Sequence, residues 1–97
     1  MFEGFFDFLS WLASEKRLYP TTDVVVLNSV AHVGLAVSYL RLHNLIICCL
    51  DNDDAGRRAV EAIRAIPTGG HEFRVVDGSP FYEGYNDVND WWVAMNK

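Results

Sequence analysis

The run Leu45-Ile46-Ile47-Cys48-Cys49-Leu50 ends abruptly on Asp51-Asn52-Asp53-Asp54-Ala55-Gly56, and no other feature of the chain restricts its fold as much. An unbroken apolar run of this length reads as a strand buried on both faces, the kind found in parallel sheets. An amphipathic helical pattern starts just after it. The carboxylates of Asp51, Asp53 and Asp54 therefore gather at the carboxyl end of a buried strand, where open α/β sheets bind their ligands. Two carboxylates roughly 4 Å apart repel by about 4 kcal/mol at an effective dielectric of about 20. Such a group is disfavoured unless it takes up a proton or a cation. Magnesium suits an all-oxygen set, since it often uses one or two carboxylates together with substrate phosphates.

Around this junction, helix and strand patterns alternate, which predicts an α/β fold with a mainly parallel sheet. Residues 4–18 read as a helix with Phe5, Phe8, Leu9 and Leu12 on one face. Val24–Leu27 is a short apolar strand ending at Asn28-Ser29, and Val30–Leu42 reads as a second helix with Val33, Ala36, Val37 and Leu40 at helical spacing. Residues 54–66 give the clearest helix, with Ala55, Ala59, Ala62, Ile63 and Ile66 as its apolar stripe, an aspartate to cap it and Pro67 to close it. Phe73–Val76 is a last strand, and a final helix from Val88 is expected to bury Val88, one of Trp91 and Trp92, and Met95. The first helix has only Met1-Phe2 before it, so the first of about four strands is expected to be a stub and the chain a single domain, 1–97, cut from a longer protein.

Length and charge narrow the function. The 97 residues, 51% of them hydrophobic, suffice for one core. A net charge of −5 argues against holding DNA or RNA through a basic surface of this piece alone. The apolar runs are too short to span a bilayer, and Glu3 stands where a secretory signal would be basic. Cys48 and Cys49, adjacent on a strand, point to opposite faces and read as buried reduced thiols of a cytoplasmic protein. His32, His43 and His71 show no zinc spacing. Counted from Asp51, an EF-hand loop would need ligands at Ala55 and Ala62, which excludes a calcium loop.

Three acidic segments occur in order: Phe2-Glu3-Gly4-Phe5-Phe6-Asp7, then Asp51-Asn52-Asp53-Asp54-Ala55-Gly56, then Asn86-Asp87-Val88-Asn89-Asp90. An acid after one strand and a D-x-D after another, each with a glycine beside it, resembles the Toprim domain. The third segment resembles the K-D-x-N-D motif of primase-like Toprim proteins, especially those of mobile elements such as mobilizable transposons. The resemblance spans nearly the whole chain and implies a three-layer α/β/α, Rossmann-like fold with about four strands, the first truncated. It implies that Asp51 and Asp53 hold Mg2+, for which Mn2+ would substitute, and that Glu3 is a third ligand or a proton-transfer group. Gly4 and Gly56 match glycines that let backbone approach the site. Asp7, Asp54, Asp87, Asn89 and Asp90 are implied as secondary site residues. Asn86 stands where the motif has Lys.

Each of these residues also has a plainer reading. Asp53 or Asp54 caps a helix, Asp54 also reads as a solvated acid, and Asp87 and Asp90 suit the first turn of the last helix. The function implied is nucleotidyl or phosphoryl transfer on DNA by a primase-like protein, with DNA and nucleoside triphosphates reaching the site through the full-length protein and the isolated piece inactive. The alternatives are a Toprim nuclease or topoisomerase-type fragment, between which Tyr19, Tyr39, Tyr82 and Tyr85 do not decide, and a non-catalytic Toprim-like module for assembly or DNA loading, which Asn86 favours. Oligomeric state is left open. Glu3 and Asp51 meet only if the first strand lies against the third, a topological requirement the structure tests.

Overall fold

The structure, a computed structural model, describes residues 1–18, 20 and 22–96; Tyr19 and Lys97 lie outside them. In chain order it contains α1 (Phe5–Ser14), a 3-10 turn (Val30–His32) leading into α2 (Val33–Leu40), β1 (Leu45–Cys48), α3 (Asp54–Arg64), β2 (Arg74–Asp77), a second 3-10 turn (Ser79–Tyr82) and α4 (Val88–Met95). This is a small α/β fold whose sheet is two parallel strands, β1 and β2, in register from Leu45 opposite Arg74 to Cys48 opposite Asp77.

The two other expected strands are reduced to single bridges. Phe2 pairs in parallel with Val26 on one side and with Cys49 on the other. Its N–H donates to the Val25 carbonyl at 2.9 Å, its carbonyl accepts from Leu27 N at 3.0 Å, and Cys49 N donates to the Met1 carbonyl at 2.7 Å. A two-residue stub offers each neighbour one register position, too little to sustain a ladder, so four full strands do not form among the described residues. The adjacency is nevertheless the required one. The start of the chain lies between the 25–27 segment and the end of β1, so Glu3 emerges beside Asp51.

Alternation along β1 sends side chains into two separate cores. Ile46, Cys48 and Leu50 pack with Leu27, Val33, Leu40, Ala59, Val60, Ile63 and Ile66, beneath α2 and α3. Cys49 joins Phe2, Tyr82 and Val88, with Phe8, Trp11, Val24 and Trp91 packed against them. The adjacent cysteines are thus both buried and free, one in each core. Burial in an apolar setting pushes the Cys48 thiol up to about 11, so it stays protonated and inert at neutral pH.

Several helix faces differ from the sequence pattern. In α3 the buried residues are Gly56, Ala59, Val60 and Ile63, while Ala62 is exposed; the stripe is rotated because Gly56 packs against the β1–α3 loop. In α1, Leu12 is buried but Phe5 and Leu9 are exposed, and the helix instead buries Asp7 and Ser10. The cause is a polar seam with α4, where Ser10 Oγ donates to Asn89 Oδ1 at 2.9 Å and Asn89 N donates to Asp7 Oδ1 at 3.0 Å. In α4, Val88 is fully buried and Trp91 and Trp92 are half-buried, but Met95 is 63% exposed. Trp91 rests on Phe81 with ring centroids 4.5 Å apart, whereas Met95 is the last residue of α4, one turn beyond that contact.

Candidate metal centre

Each acidic segment enters the site from the end of a different element. Glu3 and Asp7 flank the start of α1, whose cap position is Gly4. Asp51 follows β1, and Asp87 caps α4 by accepting from Asp90 N at 2.7 Å. Their side chains converge. Carboxylate oxygens of Asp7, Asp51 and Asp87 all lie within 4.8 Å of one another. Glu3 adjoins this trio, its Oε1 accepting a 3.3 Å hydrogen bond from Asp51 N. Three acids from distant parts of the chain thus converge, with Glu3 beside one of them.

The electrostatics record the crowding. Burial, then the charges of Glu3, Asp7 and Asp87, and a side-chain hydrogen bond with Glu3, push Asp51 up to about 7. Burial also raises Asp7, against the stabilising N–H of Asn89. Carboxyls this disfavoured as anions take a proton in the absence of a cation and give it up when one arrives. An all-carboxylate donor set of this kind fits a hard divalent cation rather than zinc or copper, which favour nitrogen and sulfur.

Glycines make the convergence sterically feasible. A Cβ on Gly56 would fall 2.0 Å from the Asp51 carbonyl oxygen, so only glycine lets α3 approach the loop this closely. A Cβ on Gly4 would lie 3.1 Å from Asp7 Oδ2. Two contacts fix the loop on its other side. Asn52 N donates to the Asn86 carbonyl at 2.6 Å and Asn52 Nδ2 to the Tyr85 carbonyl at 2.8 Å, tying the Asp51 loop to the segment that delivers Asp87.

The remaining acids of the motif have other partners. Asp53 is the cap of α3, its Oδ1 accepting from Gly56 N at 2.7 Å, and it is not one of the three converging carboxylates. Asp54 is exposed and paired with Arg57 at 2.7 Å, whose guanidinium lowers its pKa. Asp90 is exposed on the first turn of α4, and Asn89 orients Asp7 rather than facing the trio itself. Asn28 has a positive φ of 65° and Ser29 caps the 3-10 turn, a local turn role for both. Tyr82 was not legible as a site residue. It is fully buried and its hydroxyl donates to the Leu50 carbonyl, anchoring the backbone immediately before Asp51. Only its place in the irregular 77–85 segment, an aromatic among turn residues, hints at that role.

A family model described as Toprim-like matches residues 1–92 of the 97. This chain belongs to the Toprim-like family. No curated protein and no solved structure matches it. Toprim domains generally catalyse metal-dependent reactions of nucleic acids and bind divalent ions through acidic residues, and the trio here is an acidic cluster of that kind. No helix of the described residues is long and apolar enough to cross a membrane.

Proposed function

We propose that this Toprim-like chain is the catalytic domain of a DNA primase-like protein of a mobile element, acting in the cytoplasm with Mg2+, for which Mn2+ substitutes. The convergence of Asp7, Asp51 and Asp87 within 4.8 Å carries the reading. Asp51, Asp7 and Asp87 are the ligands in this reading. Glu3, hydrogen-bonded to the Asp51 backbone, is placed to complete the set or to hold the proton of an attacking hydroxyl. Asp53 enters as the cap that fixes the Asp51 loop. A divalent cation bound here would neutralise phosphate oxygens and align attacking and leaving groups.

The rest of the reading concerns what surrounds this site. With a net charge of −5, the domain relies on other parts of a longer protein to hold DNA, which together with nucleoside triphosphates reaches the site through the full-length protein, and alone it is inactive. The two bridges of Phe2 beside the β1–β2 pair support a four-stranded sheet between two helical layers as the arrangement of this domain.

The test is an assay of the intact protein on single-stranded DNA with nucleoside triphosphates and Mg2+. New strand synthesis that disappears in Asp51→Asn is the expected result. Metal-dependent cleavage without synthesis would move the domain to the nucleases, and neither activity would make it an assembly module.

A further inference from the structure

A cavity of about 500 Å³ opens directly beside the acidic trio, a size typical of small-ligand sites. Asn52 and Arg57 form one wall, and Ser79, Glu83, Tyr85 and Asn86 the other. Asn52 follows Asp51 and Asn86 precedes Asp87, so two lining residues are the chain neighbours of two of the three converging carboxylates. The walls are fixed to one another by the two hydrogen bonds of Asn52 and by the Tyr82 hydroxyl on Leu50. Such a site is largely formed before any ligand arrives.

The lining narrows the ligand class. Its two charges, Arg57 and Glu83, cancel, and Arg57 is already paired with Asp54. A lone phosphate would find little here to hold it. A purely apolar ligand would leave the Asn86 amide and the Ser79 hydroxyl without a match, and the Asn52 amide, which already donates to the Tyr85 carbonyl, with its oxygen unused. Two amides, a hydroxyl and a phenol ring instead match a nucleobase, whose edge takes amide hydrogen bonds and whose face stacks on an aromatic ring.

We propose that this cavity holds the nucleoside of a substrate nucleotide, with its phosphates directed towards Asp51 and Asp87, the neighbours of Asn52 and Asn86. The proposal rests on the metal-site reading above and adds the part of the substrate that the acids cannot recognise. The nucleotide comes either as a free nucleoside triphosphate or as the end of a single strand.

The test is an NMR titration of the 15N-labelled chain in Mg2+ with a non-hydrolysable nucleoside triphosphate analogue, a single-stranded pentanucleotide and inorganic triphosphate, in separate samples. The amides of Asn52, Ser79, Tyr85 and Asn86 are expected to shift with at least one nucleotide ligand and not with inorganic triphosphate, and the stronger ligand identifies the source. Tyr85→Ala and Asn86→Ala are each expected to weaken that binding about tenfold. Asn86→Ala leaves the backbone carbonyl that binds Asn52 in place, so its effect reports the cavity rather than the fold. Equal shifts with inorganic triphosphate, unchanged binding in both variants, or silent cavity amides would each overturn the proposal. Mn2+ affinity measured on the same samples separates the two readings. Metal binding with a silent cavity sinks the nucleoside site alone, and nucleotide in the cavity without metal binding sinks the metal reading alone.

Discussion

Beneath α2 and α3, Ile46, Cys48 and Leu50 meet an apolar core, whereas on the side of α1 and α4 the aromatic core of Phe2 and Tyr82 has buried Asp7 and Ser10 as neighbours. The first side follows from burial alone, each fully buried aliphatic side chain contributing about 1.5–3 kcal/mol. The second side accepts an energetic conflict, crowding carboxyls at the end of β1 so that Asp51 titrates near neutrality. Stability is concentrated in one half and the capacity for chemistry in the other. Proteins relax such local conflicts unless the conflict serves a site.

Substitutions in the two halves should therefore separate folding from ion binding. Ile63→Ala, in the apolar core with no exposed surface, is expected to cost about 2–5 kcal/mol in chemical denaturation, with ion affinity of the folded protein retained. Gly56→Ala lies where the halves meet. Its Cβ would drive α3 away from Asp51, costing about 1–3 kcal/mol and weakening ion affinity as well. Loss of ion binding in Ile63→Ala, or none in Gly56→Ala, would collapse the distinction. Asp51→Asn should act in the opposite sense. It removes repulsion, so the ion-free protein melts at an equal or higher temperature while divalent-ion binding is lost; unfolding of this variant would show Asp51 to be structural.

The pH dependence sharpens the same contrast. Asp51 holds its proton more tightly folded than unfolded, so its contribution to stability is full below the unfolded pKa of about 4 and is lost as pH rises through about 7. Asp7 is shifted in the same direction. His43, raised by its hydrogen bond to Asp23, also stabilises at low pH, so the comparison is best made in a His43→Gln background. There the ion-free protein should melt lower at pH 8 than at pH 5, and Mn2+ should recover the loss at pH 8. The Met1 amino group, lowered by burial, acts in the opposite sense, so the decisive comparison is with Asp51→Asn, and a profile that this substitution leaves unchanged would mean that the acids do not interact. The smallest effect is expected from Asp54→Ala, which removes an exposed, solvent-screened pair with Arg57 and should leave the melting temperature nearly unchanged.

The apolar half was the more legible in sequence because its signals are local. The continuous run into Asp51 located β1, and the spacing of Ala59 and Ile63 located α3. The α1 face was misread because hydrophobicity placed Phe5 and Leu9 inward, whereas the seam that buries Asp7 and Ser10 depends on Asn89, about eighty residues away. Asp51 and its strand-end position were readable, and so was the need for the first strand to lie against the third, which the Phe2–Cys49 bridge meets. Which acids converge was less so. Asp53 and Asp51 lie two apart in sequence, but the cap of α3 turns Asp53 onto Gly56 while Asp7 and Asp87 arrive from distant elements. Spacing within a motif does not reveal which carboxylate a helix cap will claim.

The most direct measurement is a Mn2+ titration of the 15N-labelled chain, following which backbone amides broaden. Selective broadening is expected around Glu3 and Asp7, around Asp51 and its loop, and around Asp87, three segments joined only by the fold, at concentrations that leave the exposed acids Glu61 and Glu72 sharp. Broadening centred on Glu61 and Glu72, or none at millimolar Mn2+, would contradict a single convergent metal centre.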